Sequence, residues 1–298
     1  MLKYYDAVYD DENRIYSCDG VRISFSVAGE HSEAFEKLFA NPKRVDIKSW
    51  PIDTRDNHFK YLWNITYYDD DDKELSSMSC GYIFNSVSGE SNRKGFLDFN
   101  PNKCAWSPLF FEDLNAIRSF CKSWDLQRVD VALDIPVRRD LVILEKDNRV
   151  YESKVYSNIN KTEYLGLRSK PGRVKVYNKS LEQGLEKDLT RIEVSTEPDI
   201  ESFFKHYPKI WDLSLSGQLT MDILELTQTD LGILRYALES LRRGNDDGLM
   251  IFNSFGRTKK QKLKPFLLPE SALVVASVPL VSLLMKKIKG LYGQVNDL

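Results

Sequence analysis

Lys175-Val176-Tyr177-Asn178-Lys179 sets a tyrosine between two lysines, and the segments on either side supply carboxylates and further cations. Arg128-Val129-Asp130-Val131-Ala132-Leu133-Asp134 precedes it, and Thr190-Arg191-Ile192-Glu193-Val194 follows it. A β-strand sends alternate side chains to opposite faces. Asp130 and Asp134 then share one face, with Val129, Val131 and Leu133 behind them. Lys175 and Tyr177 share a face against Val174 and Val176, and Arg191 and Glu193 share one against Ile192 and Val194. If the three polar fronts belong to one sheet surface, a tyrosine, three carboxylates and several cations meet there, and that set is suited to handling a phosphate.

A phenolate attacking a DNA phosphodiester displaces the 3′ oxygen and leaves a 5′-phosphotyrosyl link and a free 3′-hydroxyl. The link conserves the bond, so the same enzyme can rejoin the strand by reversing the step. Tyrosine ionises near pH 10, so neighbouring cations must favour the phenolate, and Lys175 and Lys179 are placed to do so. A divalent metal would polarise the scissile phosphate. Oxygen ligands suit Mg²⁺ or Mn²⁺, and Asp130, Asp134 and Glu193 are the candidate ligands. Each residue also has an ordinary structural reading. The chain holds 15 tyrosines, and a strand tyrosine usually packs with its hydroxyl hydrogen-bonded. Asp130 and Asp134 can pair with Arg128, Arg168 or Arg191, and strand carboxylates often mark only a solvent face. Lys170 and Arg173 flank a hairpin tip, where exposure is the default, and Asn178-Lys179 can begin a turn.

Other chemistries find little support. His31, His58 and His206 are far apart, with no histidine pair at metal-ligand spacing. Cys18, Cys80, Cys104 and Cys121 form no C-x-x-C motif and read as reduced thiols of a cytoplasmic protein. No phosphate-binding glycine loop, dinucleotide fingerprint or G-x-S-x-G elbow is present.

The elements that must position these residues follow from the pattern. Val21–Val27, Val45–Trp50, His58–Tyr68, Ser77–Val87 and Gly95–Phe99 are rich in β-branched and aromatic residues and predict strands. The acidic run Asp69-Asp70-Asp71-Asp72-Lys73-Glu74 between two of them reads as a hairpin tip. Ser107-Pro108 opens a helix carrying Leu109, Phe110, Leu114, Ile117, Phe120 and Cys121 at near-helical spacing. Gln127–Thr196 is β-rich again, with a hairpin tip at Ser169-Lys170-Pro171-Gly172. After Glu197-Pro198 the texture turns helical, with a leucine stripe (Leu231, Leu234, Leu238, Leu241) between Thr229 and Gly244. Arg257–Lys264 is a basic run that reads equally as a phosphate-binding loop or a solvated linker. Phe266–Met285 has the length of a membrane span, but Pro269, Glu270 and Pro279 interrupt it, so a buried, broken helix is expected and no membrane contact. The polar, acidic start of the chain lacks the form of a secretory signal. Composition is that of a soluble globular protein, 42% hydrophobic and 29% charged. Residues 1–100 hold 12 basic and 18 acidic side chains and residues 101–298 hold 30 and 26, so a polyanion is better received by the second part. The expected class is α+β: two antiparallel β-sheets with covering helices, in a domain of residues 1–200, followed by a mainly helical region of residues 201–298.

Taken in order, Gly95-Phe96-Leu97-Asp98-Phe99-Asn100-Pro101-Asn102-Lys103, Arg128 to Asp134, Thr162-Glu163-Tyr164-Leu165-Gly166-Leu167-Arg168, Lys175 to Lys179 and Thr190-Arg191-Ile192-Glu193 resemble the motifs of replication initiation factors. The chain resembles the Rep_trans-type initiators of rolling-circle plasmids and the related relaxases of integrative elements, over roughly Val21 to Thr196. The resemblance implies an enzyme that nicks one strand of its own origin, in supercoiled or single-stranded DNA, through a tyrosine and a carboxylate-bound metal. Carried over by position, the tyrosine is Tyr177, with Tyr164 as second candidate, and the metal ligands are Asp130, Asp134 and Glu193. Arg168, Lys170, Arg173 and Arg191 would meet DNA. The resemblance also implies a saddle-like pair of sheets, a homodimer and a host helicase as partner. The rival readings are a conjugative or mobilisation relaxase, a non-catalytic origin-binding initiator or repressor, and a metal nuclease in which Tyr177 is structural.

Overall fold

The computed structural model describes residues 4–27, 31–41, 44–51, 59–84, 93–157, 159–168, 170–212 and 272–293, with isolated residues between 227 and 259. The short β1 (Val8–Tyr9) lies against the 13-residue β2 (Ile15–Val27). After α1 (Ser32–Lys37) come β3 (Val45–Pro51), β4 (Phe59–Tyr68), β5 (Glu74–Phe84) and β6 (Arg93–Phe99). Helices α2 (Pro101–Cys104) and α3 (Pro108–Ser119) lead into the 15-residue β7 (Cys121–Ile135). Then follow β8 (Val142–Leu144), β9 (Tyr151–Val155), β10 (Lys161–Leu165), β11 (Val174–Asn178), α4 (Lys179–Gln183) and β12 (Thr190–Thr196). The described part closes with α5 (Ile200–His206), β13 (Ile210–Asp212) and α6 (Val278–Tyr292).

Local chemistry accounts for several of these boundaries. Pro108 stands at the start of α3 behind an extended Ser107, where its missing N–H costs nothing. The acidic run turns β4 into β5: Asp69 Oδ1 accepts from the backbone N–H groups of Asp71 (3.1 Å) and Lys73 (2.9 Å). Pro171-Gly172 belongs to the tip between β10 and β11, with Gly172 at φ 86°, a conformation that favours glycine. Ser169 of that tip lies outside the described residues.

The expectation of two antiparallel sheets holds only in part. The two β-rich stretches join into one 11-stranded antiparallel sheet, ordered β3-β4-β5-β6-β2-β7-β12-β11-β10-β9 with β1 on β2. The reason is the length of β2 and β7, which pair from Ile15↔Asp134 to Val27↔Cys121. Each offers its other edge to one half, β2 to β6 and β7 to β12. The second sheet is small, β13 paired with β8.

Alternation gives the large sheet an apolar back. Val21, Ile23, Phe25, Leu97, Val129, Val131, Leu133, Ile192, Val194, Val174, Val176 and Leu165 are all buried there. Each such aliphatic side chain contributes about 1.5–3 kcal/mol by leaving water. Phe110, Leu114 and Ile117 of α3 and Val281, Leu284, Met285 and Ile288 of α6 join the same core. Trp124 Nε1 donates to the Tyr292 carbonyl (2.8 Å), and the Ser277 N–H donates to Tyr16 Oη (3.0 Å), so both ends of α6 are tied to the sheet. Of the expected Phe266–Met285 helix, the described portion is irregular at 274–277 and helical from Val278, with Pro279 in the first turn. No described helix is long and apolar enough to cross a membrane. The leucine stripe and most of the Arg257–Lys264 run lie outside the described residues.

One irregularity in β2 matters for the site. The register against β7 slips between Cys18 and Gly20, leaving Asp19 as the extra residue of a bulge. Gly20 sits under Asp130, and a Cβ at position 20 would fall inside van der Waals contact of that carboxylate and its stem. Gly20→Ala is therefore expected to destabilise the fold by about 1–3 kcal/mol, the usual cost of overpacking. Urea unfolding checks this, and a midpoint equal to wild type would mean that Asp130 moves aside freely.

Candidate functional site

Residues directly opposite each other in an antiparallel ladder point to the same face. The register sets Tyr177 opposite Arg191, and Arg191 opposite Asp134. The next row is Tyr164, Lys175, Glu193 and Ala132, and the row after it holds Ser195 and Asp130. The polar fronts of β7, β11 and β12 thus form one continuous surface, extended by β10, with the apolar core behind it.

At its centre is an ion cluster that no spacing rule reveals. Arg191 is 1% exposed. Its Nε and one terminal nitrogen donate to the two oxygens of Asp134 (2.6 and 2.7 Å), and its other terminal nitrogen donates to Asp19 Oδ1 (2.7 Å). Asp134 is fully buried and also accepts from the Tyr4 hydroxyl. Asp19 takes a further hydrogen bond from the Asn100 side-chain amide at 3.2 Å. Burial alone would raise the Asp19 carboxyl, but Arg191, then Lys179 and the two asparagine amides, outweigh it and hold it below the usual range. Burial likewise opposes the Arg191 charge, and its bonds to Asp134 more than restore it. Asp19 and Tyr4 were not anticipated. Asp19-Gly20 inside a strand pattern is the signal that could have found the first, since glycine there often marks a bulge. Tyr4 has no comparable signal.

The remaining predicted residues fall into three groups. Tyr177 is 5% exposed, with Lys175 Nζ 3.9 Å and Lys179 Nζ 5.7 Å from its ring centroid. Burial, reinforced by the charges of Glu193 and Asp19, pushes its phenol well above the ordinary tyrosine value, and Arg191 opposes this. Lys179 is buried and paired with Glu182. Arg168 and Lys170 are exposed near the β10–β11 tip, while Arg173 stacks 4.5 Å from the centroid of the half-buried Tyr164. Arg191, expected to meet DNA, is instead engaged by two carboxylates.

The three expected metal ligands do not stand as an equivalent set. Both Asp134 oxygens are committed to Arg191 and Tyr4. Asp130 lies 3.3 Å from Arg128, yet its Oδ1 has no hydrogen-bond partner, and neither has Glu193 Oε2, although Lys175 Nζ is 3.8 Å away. Among the described residues, no three His, Cys, Asp or Glu side chains are gathered as a cation site requires. Asp130 and Glu193, each with an unbonded oxygen, are the pair suited to a hard cation. Glu193 is also the group on this face that can carry a proton at neutral pH: burial, then the charge of Asp19, raises its carboxyl to about 7 against the pull of Lys175.

No protein-family model matches the chain, and no curated protein sequence does. A solved structure of the rolling circle replication initiator protein from Geobacillus stearothermophilus is similar at 12% identity over 61% of this chain and 74% of that one, with a TM-score of 0.30. A superposition that distant fixes neither fold nor function.

Two outcomes follow from the electrostatics. Arg191→Ala strands Asp134 in the interior and should cost about 3–5 kcal/mol, measured by urea unfolding; a loss below about 1 kcal/mol would show that Tyr4 and water suffice for that carboxylate. The raised carboxyl of Glu193 favours the folded state below pH 4.5, its unperturbed value, and that contribution is lost as pH rises through about 7. In metal-free buffer, the melting temperature of Glu193→Gln should therefore gain on wild type between pH 5 and pH 8. Parallel pH profiles would mean that Glu193 ionises normally.

Proposed function

We propose that this chain is a DNA strand-transferase that starts rolling-circle replication by nicking its own origin and later rejoining the strand. The observation that carries the reading is the cross-strand register, which sets Tyr177, Lys175, Glu193 and the Arg191–Asp134 pair on one polar sheet face. The motif order set out above supplies the substrate class. In the proposed step, the Tyr177 oxygen bonds to the scissile phosphorus, the 3′ oxygen departs with its electron pair, and a 5′-phosphotyrosyl link remains. Lys175 and Lys179 would offset the charge on the phenolate and the phosphate. The phenolic proton would leave through Glu193 while that carboxylate is free of metal, and through water once a metal occupies it. Mg²⁺ or Mn²⁺ held by Asp130 and Glu193 would supply charge to polarise the phosphate. Arg191 would act through Asp134 and Asp19 by fixing the surface on which these groups stand, rather than by touching DNA.

A second reading concerns the nucleophile. Tyr164 lies on the same face, opposite Lys175, with Arg173 over its ring, and it is half-buried where Tyr177 is buried. Greater access favours Tyr164, and the two flanking lysines favour Tyr177.

The test is incubation with Mn²⁺ and a supercoiled plasmid carrying the gene and its flanking DNA, resolved under denaturing conditions. Wild type should give a relaxed circle with protein fixed to a 5′ end, and Tyr177→Phe should lose the adduct while retaining origin binding. Loss in Tyr164→Phe alone would transfer the role to that residue. Binding without a cut would leave a non-catalytic initiator or repressor, a cut with a free 5′-phosphate a metal nuclease, and preference for a transfer origin a relaxase. Chelation of the metal should abolish the cut, and a cut that persists in chelator would remove Asp130 and Glu193 as ligands.

A further inference from the structure

Beside the polar face, a cleft of about 500 Å³ opens between the β4–β5 turn, α2 and α4. Its wall includes Tyr4, Lys73, Lys103, Trp106, Lys179 and Arg191, so it adjoins the ion cluster directly. Trp106 is 42% exposed. An indole so exposed beside charged side chains offers a flat face on which a base can stack. The indole is oriented as a platform must be: Nε1 donates to the Asn102 carbonyl (3.1 Å), and the Tyr5 ring meets it edge-on at 5.8 Å between centroids.

The charges in the cleft discriminate between ligands. Cations come from Lys73, Lys103 and Lys179, the last paired with Glu182 until a phosphate displaces it, and the Arg191 charge is balanced by Asp134 and Asp19. Asp70, exposed, also lines the cleft, and Asp69 is engaged with its own turn. A carboxylate in the lining opposes a run of phosphates, so a duplex is a poor fit, whereas one flipped nucleotide can place a phosphate on the lysines and a base on the indole. The volume is of the order that small ligand sites have.

We propose that this cleft receives one nucleotide of single-stranded DNA, its base stacked on Trp106 and its phosphate held by Lys103 and Lys179. This rests on the reading of the chain as a DNA strand-transferase. It adds that one unpaired base is held beside Lys179, whose Nζ lies 5.7 Å from the Tyr177 ring centroid. Base–aromatic stacking tolerates every base, so Trp106 would bind without reading sequence.

Trp63, Trp124 and Trp211 are buried, and the part of the quench that Trp106→Leu removes is the part that belongs to Trp106, as distinct from the fifth tryptophan of the chain, Trp50. The experiment titrates the full chain with oligothymidylate of eight nucleotides, followed by fluorescence and by anisotropy of a labelled copy. Wild type should show saturable quenching. Trp106→Leu should lose the quench and weaken binding by about fivefold or more, the lower end of one base's stacking. Trp106→Phe should lose the quench yet bind nearly as wild type, and Lys103→Gln should weaken binding and its salt dependence. An unquenched wild type, or Trp106→Leu binding within twofold of wild type, overturns the proposal. Nicking of the supercoiled plasmid is measured in parallel. Nicking without quenching removes the nucleotide site and leaves the enzyme reading intact; quenching without nicking removes the enzyme reading and leaves the site.

Discussion

A guanidinium almost wholly removed from water tolerates little rearrangement of its partners, and Arg191 has its partners on two other strands. Asp134 comes from β7 and Asp19 from the bulge of β2, so one side chain of β12 fastens together three neighbouring strands at the join between the two halves of the sheet. The desolvation cost of such a group is several kcal/mol per ion, and close bidentate geometry is what offsets it. That demand explains the bulge. With regular pairing, Asp19 would occupy a ladder position and alternate with its neighbours, whereas an extra residue re-aims its carboxylate. Gly20 then leaves room for Asp130 at the next position, and the same local device thereby sets two acidic groups at once.

Much of the frame was legible because alternation is a local signal. In β7, β11 and β12 the apolar residues recur at every second position, so the polar front could be read off before any pairing was known. The turn at Asp69–Lys73 and the start of α3 at Pro108 follow from the chemistry of a few adjacent residues. The junction of the halves was not legible. Whether two β-rich stretches separated by a helix pair with each other is a question of distant contacts, and β2 meets β7 across more than ninety residues of chain. Burial was hidden for the same reason. Tyr177 and Asp134 have the spacing of front-face residues, but both are buried, Asp134 against Tyr4, far away in sequence, and Tyr177 against Lys175 and Lys179.

Burial changes the chemistry that the same residues can do. On an exposed strand, two lysines beside a tyrosine would favour its ionisation, which is the simplest reading of the motif. Removed from water, the phenol is raised instead, because desolvation outweighs the attraction of Arg191 and the charges of Glu193 and Asp19 add to it. In the proposed reaction, activation of Tyr177 would then depend on something further, such as a phosphate that opens the site or a proton acceptor near its own midpoint. Glu193 meets the second condition by the same physics, since the burial that penalises the Tyr177 phenolate also brings this carboxyl close to neutrality. Two groups on one face whose ionisation is displaced by a shared environment are the usual mark of acid–base pairing.

The fixed centre also decides how the surroundings divide the work. Because Arg191 is spent on Asp134 and Asp19, the charge available to a phosphate comes from lysines around it: Lys175 on the sheet face, and Lys179, Lys103 and Lys73 along the cleft. Lysine is a mobile point charge on a flexible stem, while arginine is a rigid fork matched to carboxylates. A rigid fork holds the architecture, and in the proposed reaction mobile cations would follow a substrate whose phosphates shift during cutting and rejoining. Lys179 stands on both surfaces, over the Tyr177 ring and in the wall of the cleft. A phosphate entering the cleft would draw it from Glu182, its present partner, and so alter the charge seen by Tyr177. Strand entry and tyrosine ionisation would then be coupled through a single side chain, with Arg191 holding the frame still.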